Sequence, residues 1–167
     1  MKHNVKNTAL LGLCTALALI LAYVEVLLPP LSAAAPGIKM GLPNVILIFL
    51  LYRKDALTAA GVSLARILLV ALLFGNGMSL LYSLAGGALS LGGMSLLKRM
   101  DFLSATGVSV AGGVLHNVGQ ILMAMLLLDT TQIGYYMVVL AATGIAAGLC
   151  VGLAGALLIR KIPAKLF

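Results

Sequence analysis

Nine of the eleven Lys and Arg residues of this chain fall in four short clusters: Lys2/Lys6, Arg53/Lys54, Lys98/Arg99 and Arg160/Lys161/Lys165. Long apolar stretches separate the clusters. If each stretch crosses a membrane, all four clusters land on one side, and the alternate loops hold a single cation, Lys39. That is the positive-inside pattern of a multi-pass membrane protein with both termini in the cytoplasm. Arg66 is the one remaining cation, and it lies inside an apolar stretch.

Composition points the same way. Hydrophobic residues make up 62% of the 167 residues and charged residues 9%, against about half and a quarter in soluble domains. So much apolar surface needs lipid to cover it. The net charge of +7 raises nucleic acid as a partner, but the cations are split among short loops and form no basic stripe, which excludes that class. Cys14 and Cys150 sit in apolar segments without metal-ligand spacing and read as small apolar residues. A basic start, an apolar run and Ala33-Ala34-Ala35 resemble a secretory leader. The run from Thr8 to Leu28 is too long for one, and Glu25 and Pro29-Pro30 precede the alanines, so the segment is expected to stay as a span.

The pattern predicts one domain over residues 1–167, an all-α bundle of six transmembrane helices at about 8–28, 42–52, 56–74, 78–97, 105–128 and 133–159. Pro29-Pro30 stops the first helix. The second is short for a span, which takes about twenty residues. It either begins earlier in the preceding loop or enters from a re-entrant segment covered by protein. Gly75-Asn76-Gly77 reads as a turn on the side away from the basic clusters. Gly86-Gly87, Gly92-Gly93 and Gly112-Gly113 lack the preceding strand of a phosphate loop and read as close helix contacts.

The polar residues concentrate in the outer halves of the helices. Glu25 ends the first, Asn44 opens the second, and Arg66 lies just past the middle of the third. Tyr82 and Ser83 are in the outer half of the fourth; His116, Asn117 and Gln120 run from the middle of the fifth outward. An ionisable group within a span usually faces a cavity or a partner. Two readings of Arg66 stand: a structural ion pair with Glu25, or, with Lys39, a contact to an anionic ligand. His116 and Gln120 are four apart and share a helix face. Tyr23, Tyr82, Tyr135 and Tyr136 fit an interfacial belt. Gly12/Ala16 and Ala18/Ala22 are small residues at a spacing of four, suited to close helix approach in the bundle or against another subunit. No paired acidic motif, nucleophile constellation or Walker A sequence is present, so the expectation is a non-enzyme without cofactor or metal that does not drive itself with ATP.

Three stretches resemble a known family: Gly37-Ile38-Lys39-Met40-Gly41-Leu42-Pro43-Asn44, Tyr82-Ser83-Leu84-Ala85-Gly86-Gly87-Ala88-Leu89-Ser90, and Gly112-Gly113-Val114-Leu115-His116-Asn117-Val118-Gly119-Gln120. Together they are similar to the Gx transporter family, whose members are often labelled heptaprenyl diphosphate synthase component I. That family is similar to the S components of energy-coupling factor transporters. The resemblance implies a substrate-binding subunit in a bacterial cytoplasmic membrane. It would capture a vitamin or precursor from outside and dock, through a small-residue stripe on the first helix, on a coupling subunit with separately encoded ATPases. The expected substrate contacts are Glu25, Lys39, Asn44, Arg66, Tyr82, His116, Asn117 and Gln120. The expected docking residues are Gly12, Ala16, Ala18 and Ala22. The label leaves a second reading, an accessory subunit of isoprenoid or quinone synthesis that binds a prenyl diphosphate.

Overall fold

The structure is a computed structural model, and it describes residues 2–27, 41–74 and 77–163. Six α-helices follow in order: α1 (Lys2–Leu27), α2 (Asn44–Arg53), α3 (Ala56–Phe74), α4 (Gly77–Met100), α5 (Ala105–Leu128) and α6 (Met137–Lys161). A 3-10 turn, Gln132–Tyr136, leads into α6. No strand occurs among the described residues. Helices are what an apolar chain must form in lipid, since each pairs its own backbone groups. Five of the six are long and apolar enough to cross a membrane, and the chain forms an all-α, multi-pass membrane bundle.

α2 is the exception. Its 10 residues rise about 15 Å, half of a hydrocarbon core of about 30 Å. Ile46 to Leu51 are all buried, so protein surrounds this helix on every side, as a helix apolar all round requires. Cys14 and Ala18 of α1, Ala59 and Val62 of α3, Leu91 and Met94 of α4 and Val108 of α5 form the core around it.

α5 packs between α4 and α6, while α1 lies against α3. Small residues set these distances. A Cβ on Gly148 of α6 would lie 2.7 Å from Val110 Cα, and one on Gly152 would lie 2.9 Å from Thr106 Cα. Between α4 and α5, a Cβ on Gly86 would lie 2.8 Å from the His116 carbonyl oxygen. Gly87, Gly93, Gly112 and Gly113 are likewise crowded by a neighbouring helix, whereas Gly92 faces open space. The paired glycines are packing surfaces, with Gly92 apart.

Arg53/Lys54, Lys98/Arg99 and Arg160/Lys161 gather at one end of the bundle. There the starts of α1, α3 and α5 meet the ends of α2, α4 and α6, and several cations cap helix C-termini, where carbonyls are left unpaired. Arg53 Nη2 donates to the Ile159 carbonyl and, at 2.8 Å, to that of Ile162. Lys98 Nζ donates to the Leu51 carbonyl at 2.5 Å and lies 5.3 Å from the centre of the Tyr52 ring. Lys54 Nζ donates to Asn7 Oδ1 at 3.1 Å. Arg99, Arg160 and Lys161 are exposed.

Candidate functional site

The half-length of α2 creates the site. α3 and α2 start and end, respectively, at the basic end of the bundle. Arg66 is the eleventh residue of α3, so it stands about 15 Å from that end, at the level where α2 begins. A residue from each neighbouring helix converges there. Glu25 from α1, Asn44 from α2, Arg66 from α3, Ser83 from α4 and His116 from α5 line one cavity of about 20 Å³, with Gly41 at its edge. Ala22, Val26, Ile67 and Val70 complete an apolar wall on the side of α1 and α3.

The Gly-Leu-Pro-Asn segment shapes the entry into α2. Gly41 has φ +74°, and a Cβ there would be 2.9 Å from Asn44 Nδ2; glycine accepts this left-handed backbone without strain. The Gly41 N–H donates to Glu25 Oε1 at 2.5 Å, tying the entry to α1. The first N–H groups of α2, from Asn44, Val45 and Ile46, bond to the carbonyls of Gly41, Leu42 and Pro43 at 2.8, 3.2 and 3.0 Å. The helix N-terminus therefore contributes its partial positive charge to the cavity rather than free donors.

Arg66 is only 9% exposed. Its Nε–H is buried and has no hydrogen-bond partner among the described residues. Glu25 is the acid whose charge acts on it. A buried donor left unpaired costs about 1–3 kcal/mol. His116, also buried, lies close to α4: a Cβ on Gly86 would come within 3.0 Å of its Cε1.

Other expected contacts lie elsewhere. Asn117 is buried, but its Nδ2 donates to the Leu140 carbonyl of α6 at 2.6 Å. Consecutive helix residues point about 100° apart, so the residue after His116 faces α6 and joins two helices instead of lining the cavity. Gln120 packs beside Gly86 in the α4–α5 contact, one turn beyond His116. Tyr82 is half-buried outside the lining, and Ser83 takes its place. Lys39 lies outside the described residues, as do Gly75 and Asn76 of the expected turn. Gly41 escaped the sequence reading as a site residue, although it stands within the stretch that carries the family resemblance.

A second polar space adjoins the first on the side of the basic end. Asn44, Ser90, Ser109 and Gly112 are among the residues around a cavity of about 10 Å³, room for about one water. Ser90 Oγ is buried there without a hydrogen-bond partner among the described residues. Serine in a helix gives no sequence signal for this, because its hydroxyl usually serves its own backbone.

The small residues of α1 divide between two faces. Ala18 is in the core and Ala22 lines the cavity, so this pair is used within the bundle and is not open to another subunit. Gly12 and Ala16 are exposed. Residues two apart on a helix point in nearly opposite directions, which is why one stripe faces in and the other out. Gly12 and Gly61 lie along a groove of about 470 Å³ between α1 and α3, and nothing approaches within 4 Å of a Cβ built on either. Among the described residues no group of three His, Cys, Asp or Glu is placed to hold a metal.

A family model described as heptaprenyl diphosphate synthase component I matches residues 14–158. The chain belongs to that family. No curated protein and no solved structure gives a significant match.

Proposed function

We propose that this member of the heptaprenyl diphosphate synthase component I family is the substrate-capturing subunit of an importer of the energy-coupling factor type. Its substrate is a small anionic vitamin or precursor, and its role is binding rather than catalysis. The observation that carries the reading is Arg66, buried in mid-bundle with an unpartnered Nε–H and lining a cavity with Glu25, Asn44 and His116. Half-helices that end at the middle of a membrane place their positive ends toward anionic groups, and α2 has that form. By the positive-inside rule the basic end lies in the cytoplasm, so α2 rises from the cytoplasmic side and substrate arrives from the other.

Release inward then needs an energising partner, since the sequence has no Walker A motif. Gly12 and Ala16, on the outward face of α1, are the part of the small-residue stripe open to such a coupling subunit. The purified chain should therefore bind substrate without concentrating it. Mass spectrometry of ligand that co-purifies with the wild type but not with Arg66→Met tests the reading. Uphill uptake by this chain alone in proteoliposomes under an imposed proton or sodium gradient, with no ATPase present, refutes it.

The family's description leaves a second reading, a membrane accessory subunit that binds a prenyl diphosphate. A diphosphate recovered in the same co-purification, in place of a vitamin-like anion, decides for it.

A further inference from the structure

The second chamber, on the basic side of Asn44, brings together polar side chains from three helices: Asn44 of α2, Ser90 of α4 and Ser109 of α5. The rest of its described lining is Met94, Val151 and glycines of α5 and α6, with no charged group. Ser90 is 3% exposed, and its Oγ has no hydrogen-bond partner among the described residues. Helical hydroxyls commonly turn back to the carbonyl four residues earlier. Thr15 does so to Leu11 at 2.9 Å and Ser95 to Leu91 at 2.6 Å. Ser90 does not. Its Oγ faces α5 instead, 3.3 Å from where a Cβ on Gly112 would lie. Gly112 borders the chamber, so the hydroxyl is aimed into it.

A buried hydroxyl without a protein partner is ordinarily met by ordered water. A water needs the space of about one probe sphere and two to four polar partners. The chamber offers about 10 Å³ and three polar side chains. An ion fits it less well. No carboxylate in the described lining faces a cation, and no Lys, Arg or His faces an anion. Burying an unpaired charge costs far more than burying a hydroxyl.

We infer that the chamber is a built site for one resident water, held by Ser90, Ser109 and Asn44. The water joins α2, α4 and α5 near the start of the half-helix. Asn44 also lines the Arg66 cavity, so the water holds one of that cavity's side chains from its other side, whichever ligand the cavity takes.

Thermal unfolding of the purified full-length chain in detergent separates a filled chamber from a dry one by sign. With water on Ser90, Ser90→Ala loses a hydrogen bond and should lower the midpoint by about 2–4 °C. In a dry chamber the same change removes an unmet buried hydroxyl, so a raised or unchanged midpoint overturns the inference. Ser90→Ala combined with Ser109→Ala should cost less than the sum of the two single changes, because one water serves both. Additive losses overturn the shared water. Exchanging sodium chloride for choline gluconate should leave these differences unchanged. Differences that vanish without sodium or chloride assign the chamber to an ion and overturn the water. Crystal density of the wild type, which needs no variant to fold, should show one ordered peak within about 3.2 Å of Ser90 Oγ and of either Ser109 Oγ or the Asn44 amide. A resolved chamber with no such peak overturns the inference.

Discussion

Glu25 of α1 accepts the backbone N–H of Gly41 at 2.5 Å, in the turn that opens α2. The same carboxylate lines the cavity into which Arg66 is set. One side chain thus fixes the start of a half-helix and balances the charge that faces it.

That double role makes the Arg66→Met and Glu25→Gln pair informative. Arg66→Met alone should destabilise the protein, because it removes a cation whose charge acts on the partly buried Glu25. The double variant should recover stability while ligand affinity stays about ten- to a hundredfold low, from the loss of a charge-assisted bond of about 1.5–3 kcal/mol. Affinity restored together with stability, measured on protein shown to be folded, reduces Arg66 to a structural partner of Glu25.

Asn117 should behave in the opposite way. Its bond to the Leu140 carbonyl joins α5 to α6. Asn117→Leu should lower stability by about 1–3 kcal/mol with little change in ligand affinity. A selective loss of affinity at unchanged thermal midpoint would return Asn117 to the binding site.

Gly148 and Gly92 offer a matched contrast within the spans. A side chain on Gly148 meets the α5 backbone, whereas one on Gly92 meets nothing. Gly148→Val should cost about 1–3 kcal/mol or more, as overpacked interfaces do, and Gly92→Val should be tolerated. Equal thermal midpoints for the two variants contradict the packing described.

Asp55 caps α3, with Thr58 N–H donating to its Oδ1 at 2.7 Å and Thr58 Oγ1 to its Oδ2 at 3.1 Å. The backbone bond from Thr58 is the main reason its carboxyl sits below the ordinary value, with Lys54 contributing least. A lowered native pKa stabilises the fold above the unfolded value of about 3.9, and that contribution fades as pH falls through the native value. Asp55→Ala should therefore cost about 1 kcal/mol at pH 7, typical of a lost cap. The gap to wild type should close below about pH 4, which unfolding curves across pH will show. A gap that widens with acid contradicts the assignment.

Orientation is open to direct labelling. Gly77 begins α4 and is exposed at one end, and Phe102 follows α4 and is exposed at the basic end. In a Cys14→Ala, Cys150→Ala background, an impermeant maleimide should reach Gly77→Cys from outside and Phe102→Cys only from the cytoplasmic side. The reverse pattern inverts the bundle.

Much of this protein is written locally. The spacing of Lys and Arg clusters set out six helices and their common basic end, and α3 and α5 begin and end where their apolar runs do, because lipid leaves an apolar segment no backbone partner but itself. The short run before Arg53 already marked α2 as too brief for a span. Arg66, Glu25, Asn44 and His116 stood out as polar residues in apolar stretches, and the fold gathers them into one cavity. What the linear order did not contain was rotation and depth. Whether Asn117 turns to the cavity or to α6, whether Ala18 or Ala16 faces another subunit, and whether Ser83 or Tyr82 lines the site all depend on how each helix is rotated. Rotation is settled by which glycines let neighbouring backbones approach. Depth was decided by α2, since burying Ile46 to Leu51 at the centre of the bundle brings its N-terminus level with Arg66, and a contact between residues so far apart in the chain exists only once the helices have packed.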